Sequence, residues 1–106
     1  MKQPMENALQ IARENIKEIR TVTEWAEEMN YNSSKYFSRR FRNHYQARPK
    51  LKLIEFRLEK FCELIKEKSE ISCYEIAFEL GLKDDIALNK FIKRHTGKPP
   101  REWKNG

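Results

Sequence analysis

Residues 21–49 read TVTEWAEEMNYNSSKYFSRRFRNHYQARP, and a shift of 51 positions lays this stretch without a gap on residues 72–100, SCYEIAFELGLKDDIALNKFIKRHTGKPP. Positions of unlike chemistry stay in register: Thr21 with Ser72, Glu24 with Glu75, Ala26 with Ala77, Met29 with Leu80, Phe41 with Ile92, His44 with His95 and Pro49 with Pro100. Chance matches a few hydrophobes, but not caps, acids and prolines together. Two copies of about 30 residues fall short of a solenoid, which needs three or more units to bury a continuous core. The pattern is that of a duplicated functional unit.

Each copy opens on a capping box, T-x-x-E at Thr21 and Glu24 and S-x-x-E at Ser72 and Glu75, in which hydroxyl and carboxylate satisfy free N–H groups at a helix start. A short helix follows in each, over about 22–29 and 73–80, with apolar residues at helical spacing. Asn30 and Gly81 come next, the residue types that most readily take the left-handed conformation a helix uses at its C-terminal end. Second helices are predicted over 34–45 and 85–95, pinned inward by the one-turn pairs Phe37 with Phe41 and Leu88 with Ile92. Ala26 and Ala77 leave room for the second helix to cross the first. Cap, short helix, tight turn and second helix make a helix-turn-helix.

Outside the copies, residues 5–19 space Ala8, Leu9, Ala12, Ile16 and Ile19 as one amphipathic helix. Pro49 suits the first turn of a long helix over about 50–68, with Ile54, Leu58, Phe61 and Ile65 as its apolar stripe and Leu51 and Leu64 broadening it. At 1.5 Å per residue such a helix spans about 27 Å and can join two subdomains. Pro100 starts a last turn in which Trp103 packs back. The expectation is an all-α fold of about seven helices: a first helix-turn-helix with its N-terminal helix (5–49), a linker helix (50–68) and a second helix-turn-helix (69–106).

The 106 residues suffice for one small domain or two subdomains. Charged residues are 36% of the chain, yet six Phe, four Tyr and two Trp argue for a folded core rather than disorder. With 22 Lys and Arg against 16 Asp and Glu, the net charge of +6 favours a polyanionic partner. Cys62 and Cys73 lack metal or redox spacing and read as small core residues in a reducing cytosol. No apolar run approaches a membrane span, and the N-terminus lacks a signal-peptide core, so a cytoplasmic protein is expected. The chain shows no nucleophile with a base, no phosphate loop and no metal-ligand spacing, so neither an enzyme nor a cofactor is expected.

Charge is also segregated. Residues 31–54 hold seven Lys or Arg and no acid, directly after Glu24, Glu27 and Glu28. The second copy repeats this more weakly: Glu75 and Glu79 come first, and no acid occurs from 86 to 101. Both second helices are therefore the basic ones.

The stretch IAFELGLKDDIALNKFIKRHTGKPPREW, with Ile76, Ala77, Gly81, Leu82, Leu88, Ile92, Lys93, Arg94, Gly97, Pro100 and Trp103 in place, resembles the C-terminal signature of the AraC/XylS family of bacterial transcription regulators. FRLEKFCELI, with Arg57, resembles that family's linker helix. The departures are Leu82, Leu88 and Ile92 where Phe is usual, Asn30 and Gln46 where the first copy usually has Gly, and Lys52 where an aromatic is frequent.

The resemblance implies sequence-specific binding of double-stranded DNA, with two recognition helices in successive major-groove segments about 34 Å apart. It places base reading on Lys35, Ser38 and Arg39 in the first copy and on Asp85, Ile86, Ala87, Asn89 and Lys90 in the second. Arg40, Arg42, Arg48, Lys50, Lys93, Arg94 and Lys98 would hold phosphates. RNA polymerase is a second partner it implies, and no small-molecule ligand is expected within the chain. The rival reading is a helical protein-interaction module whose partner is acidic or meets the Glu-bearing faces of the short helices.

Overall fold

The computed structural model describes residues 1–68 and 70–104. Among these, seven α-helices and one short 3-10 turn occur and no strand: α1 (Ala8–Glu14), α2 (Val22–Glu28), α3 (Ser34–Tyr45), α4 (Pro49–Glu67), α5 (Cys73–Glu79), α6 (Asp85–Thr96) and α7 (Pro100–Lys104). The chain divides into two compact units, residues 1–56 and 57–106, and the boundary falls inside α4. The 51-residue offset survives into the geometry: α2 and α5 begin and end 51 positions apart, as do α3 and α6.

The turns explain why. At the end of α2 the Tyr31 N–H donates to the Ala26 carbonyl (2.9 Å) and the Asn30 N–H to that of Glu27 (2.9 Å), with Asn30 at φ 64°. At the end of α5 the Leu82 N–H donates to Ala77 (2.8 Å) and the Gly81 N–H to Phe78 (3.1 Å), with Gly81 at φ 77°. Both are Schellman closures, which satisfy orphan carbonyls and redirect the chain in a few residues. Each following helix is then capped by a side chain, Ser33 Oγ accepting from the Tyr36 N–H (3.2 Å) and Asp84 Oδ1 from the Ala87 N–H (2.9 Å). The capping boxes form with a variation: Thr21 Oγ1 accepts from the Glu24 N–H (3.1 Å), while the Glu24 carboxylate takes the Arg20 N–H (3.2 Å) and the Thr21 hydroxyl (3.2 Å).

The first unit is built on Trp25, which is fully buried among the rings of Phe37, Phe41 and Phe56, with centroids 5.5, 5.0 and 6.4 Å away. Its indole N–H donates to the Ala8 carbonyl (3.1 Å) and so ties α1 to α2. The expected single helix over 5–19 stops at Glu14. Asn15 ends it by turning its backbone N–H and its side-chain Nδ2 onto the Ile11 carbonyl (3.1 and 2.9 Å), and the Glu18 and Ile19 N–H groups then bond back to Asn15. Ile16 and Ile19 are still buried, delivered by a turn instead of a helix. The Tyr45 hydroxyl donates to the Met5 carbonyl (2.6 Å). Burial first, then the negative charge of Glu6, raises the Tyr45 pKa above its ordinary value against a lowering backbone hydrogen bond at Leu9, so the hydroxyl remains a donor.

The second unit packs Phe61, Leu64, Ile71, Ile76, Ala77, Leu80, Leu88 and Ile92. Arg57 is buried beside them, its Nε donating to the Leu80 carbonyl (3.1 Å). Leu80 caps the C-terminal end of α5, where a cation meets the negative end of the helix dipole.

Three expectations are corrected here. The buried face of α4 carries Leu53, Phe56, Phe61 and Leu64; Ile54, Leu58 and Ile65 flank it, and Leu51 is exposed. Helical spacing pointed to the stripe through Ile54 and Leu58, whereas the face with Phe56 and Leu53 is the one that packs against Trp25's cluster. Of the two cysteines, Cys62 is exposed, while Cys73 is half-buried and packs against the core of the second unit. Trp103 also stays partly exposed, its indole N–H donating to Thr96 Oγ1 (3.0 Å) while Pro100 is buried.

α3 and α6 end alike, with Gln46 (φ 51°) and Gly97 (φ 87°) left-handed and their N–H groups bonded to the Arg42 and Lys93 carbonyls. A left-handed non-glycine residue costs about 1–2 kcal/mol. Gln46→Gly removes that strain and loses the Gln46 Nε2 bond to the Asn43 carbonyl. With glycine's greater unfolded freedom included, we expect a net gain of about 0.5 kcal/mol. A urea midpoint below that of the parent chain would contradict it.

Candidate nucleic-acid interface

The outward face of α3 follows from its inward one. Phe37 and Phe41 point into the core, which leaves Lys35, Ser38, Arg39 and Arg42, spaced i, i+3, i+4 and i+7, on the opposite side. Arg48, just before α4, and Lys50 in its first turn come to the same place. Lys35, Ser38, Arg42, Arg48 and Lys50 line one groove of about 540 Å³, closed on one side by Val22. Arg39 lines an adjoining groove of about 300 Å³ with Ser33, Lys35, Tyr36 and Arg42. Lys35 and Arg42 border both, so the two form one continuous basic surface.

Arg40 is not part of it. It stands about 160° around the helix from Ser38 and Arg42, and its guanidinium lies 3.4 Å from the Tyr36 hydroxyl. The equivalent residue of the second copy is Phe91, half-buried against that unit's core, which identifies this flank as turned toward the body of the unit. Tyr36 is the neighbour that sequence reading overlooked. Its ring lies 5.6 Å from the Arg39 guanidinium carbon and 4.9 Å from Lys2 Nζ, close enough for both cations to meet the π-face. The i, i+3 spacing of Tyr36 and Arg39 was the available signal.

In the second unit, Ile86, Asn89, Lys90 and Lys93 repeat the four-residue stripe on α6 at the 51-residue offset. Ile86 is 62% exposed, an uncommon position for an isoleucine. Ala87 is half-buried, while Asp85, Lys90, Lys93, Arg94 and Lys98 are exposed. Asn89 donates one Nδ2 hydrogen to the Asp85 carbonyl (2.9 Å), which anchors its amide on the exposed face with a second N–H left to offer. Asp84 is occupied as the cap, and Asp85 sits in the first turn of α6, where a carboxylate is favoured by the helix dipole. Lys98 Nζ lies 5.6 Å from the Trp103 ring, which steadies it near the end of the helix. The two interfaces thus differ in kind: α3 presents a continuous cationic surface, and α6 a mixed one with an apolar residue and a carboxylate at its start.

No helix among the described residues is long and apolar enough to cross a membrane. A family model described as a helix-turn-helix domain matches residues 25–106. Among solved structures, the chain is similar to the DNA-binding domain of AdpA, a global transcriptional factor, in complex with a target DNA: 27% identity, 97% of this chain and 91% of that one covered, TM-score 0.80. It is also similar in fold to the C-terminal domain of AraT, a response regulator from Geobacillus stearothermophilus (24% identity, 95% and 83% covered, TM-score 0.82). The C-terminal domain of the response regulator YesN from Fusobacterium nucleatum shares the fold as well (24% identity, 93% and 95% covered, TM-score 0.81). No curated protein sequence matches the chain.

Proposed function

The chain belongs to the AraC-type helix-turn-helix family, and from that premise we propose that residues 1–106 form one sequence-specific, double-stranded DNA-binding domain of a transcription regulator. The observation that carries this reading is the acid-free face of α3, on which Lys35, Ser38 and Arg42 share a groove with Arg48 and Lys50 from the next helix. A merely solvated surface needs no such convergence. Duplex DNA, with one negative charge per about 1.7 Å, rewards it.

In this reading α3 and α6 each enter the major groove, with α4 as the linker between the two helix-turn-helix units. Lys35, Ser38 and Arg39 read base edges, and Arg39 has the two-pronged donor geometry that matches guanine O6 and N7. On α6, Ile86 meets a thymine methyl, Lys90 and Asn89 offer donors, and Ala87 lines the approach. Asp85 is tolerated next to DNA only where it accepts from a cytosine amino group, so it rejects more than it attracts. Arg42, Arg48, Lys50, Lys93, Arg94 and Lys98 hold phosphates and position the domain without reading sequence. Arg40, which donates one guanidinium N–H to the Tyr36 hydroxyl, would reach a phosphate only from the flank of α3. Contact with RNA polymerase is part of what the family resemblance implies, and it would use surfaces other than the basic face.

Selection of sites from random duplex DNA tests the proposal and yields the recognised sequence together. No duplex binding at low salt by a chain that circular dichroism shows to be helical would favour the protein-interaction reading instead. Salt titration then separates the two contact classes. Arg48→Ala and Lys50→Ala should each make the log–log salt slope shallower by about 0.9 while leaving base preference unchanged. A slope identical to that of the parent chain would remove both residues from the phosphate contacts.

A further inference from the structure

The second unit exposes two aromatic side chains that the DNA reading does not use. Tyr74 and Phe78 stand one turn apart on α5 and are 65% and 57% exposed. With Ile71 they form the apolar floor of a groove of about 400 Å³. An adjoining hollow of about 380 Å³ shares Lys68, Ile71 and Glu75 with it and extends it past Glu67 and Glu70. Glu79 borders the aromatic end. Four carboxylates, Glu67, Glu70, Glu75 and Glu79, outweigh the one cation, Lys68, so on a chain of net charge +6 the rim around this aromatic floor is net acidic.

The helix-turn-helix scaffold does not require these aromatics. At the 51-residue offset Tyr74 corresponds to Thr23 and Phe78 to Glu27, and both of those are exposed polar residues on α2. The same scaffold is thus built twice, once with polar side chains at these positions and once with two large rings in solvent. Phosphate is an unsuitable occupant, since Glu67, Glu70 and Glu75 would face it. Apolar floor and acidic rim together are complementary to a segment that carries apolar anchors flanked by Lys or Arg, the pattern of helix-in-groove recognition.

We propose that the groove over Ile71, Tyr74 and Phe78 is a docking site for a basic, apolar-anchored segment of a partner protein. It lies on α5 and the end of α4, apart from the cationic stripe of α6, and it stands whether or not the DNA reading holds.

The test is selection of random peptides of about twelve residues, displayed on phage, against the full chain, with Tyr74→Thr/Phe78→Gln as the counter-selected variant. Those replacements bring the second copy close to the polarity of the first, and an unchanged helical circular-dichroism spectrum and urea midpoint report that the variant is folded, whether or not the chain binds DNA. The expected result is a consensus that pairs Leu, Phe or Trp with Lys or Arg. Selected peptides should bind the double variant about tenfold or more weakly, and Glu67→Gln/Glu70→Gln should weaken them to a smaller, salt-dependent extent. Peptides without basic residues, or equal binding to parent and double variant, would overturn the proposal. So would a dimer in sedimentation equilibrium that the double variant abolishes, because the occupant would then be a second copy of this chain.

Discussion

Trp25→Ala is expected to destabilise the first unit by about 3–5 kcal/mol, a large share of the roughly 5–15 kcal/mol that holds a typical domain together. Three losses coincide. The cavity lies among Phe37, Phe41 and Phe56, none of which can collapse into it without leaving its own packing. The Ala8 carbonyl loses its indole donor in a buried place. The edge-on ring contacts, each worth about 0.5–1.5 kcal/mol beyond area, vanish together. Hydrogen exchange resolved by residue is the measurement: protection should fall through α1, α2 and α3, while α5 and α6, which have their own core, keep theirs. Unchanged protection in α3 would mean that Trp25 is not the centre we take it to be. Trp25→Phe, which keeps a ring but not the N–H, should recover most of the loss and leave the Ala8 carbonyl as the residual defect.

The second large effect is on recognition. Arg39→Ala should reduce discrimination at one guanine of the selected site by about 10- to 100-fold, in line with the 1–3 kcal/mol of a bidentate arginine contact. It should also lower affinity for unrelated duplexes only slightly, since one charge among many is removed. Competition binding with the selected site and its single-base variants reads this directly. If preference is unchanged at every position, Arg39 does not read a base. Tyr36→Leu serves as the positioning control: it removes the ring beside the guanidinium and should blunt the same preference by a smaller factor, with Lys35 and Ser38 intact.

Much of the architecture was legible because its determinants are local. Thr21, Ser72, Asn30 and Gly81 act on backbone groups within a few residues, and their spacing encodes the two helix-turn-helix units directly. What was not legible depends on partners far away in the chain. Residues 5–19 keep helical spacing through Ile19, so the amide of Asn15 that ends α1 was indistinguishable from any polar residue on an exposed face. On α4, the stripe expected through Ile54, Leu58 and Ile65 gives way to a face through Leu53, Phe56 and Leu64, which the packing of Phe56 on Trp25 helps to select. Arg57 was noticed as part of a motif, but its role is set by the Leu80 carbonyl 23 positions later.

The candidate interface divides the same way. Helical periodicity alone brings Lys35, Ser38, Arg39 and Arg42 together. The addition of Arg48 and Lys50 requires the turn at Gln46. The separation of Arg40 from the stripe follows from helix phase, and its engagement with Tyr36 from i, i+4 spacing; both could have been read.

The four left-handed residues carry a last consequence, for mutational tolerance. At positions 81 and 97 the backbone already has the residue best suited to it, and any replacement carries a conformational penalty; at Gly97 that penalty is the whole effect, since nothing lies within 4 Å of where a Cβ would stand. At 30 and 46 the chain already tolerates Asn and Gln in the same conformation. A saturation library scored for stability should therefore be lopsided across the repeat: at sites 81 and 97 nearly every substitution costs at least about 1–2 kcal/mol, while their counterparts accept several and improve with glycine. The first copy retains room for stabilising change that the second has exhausted.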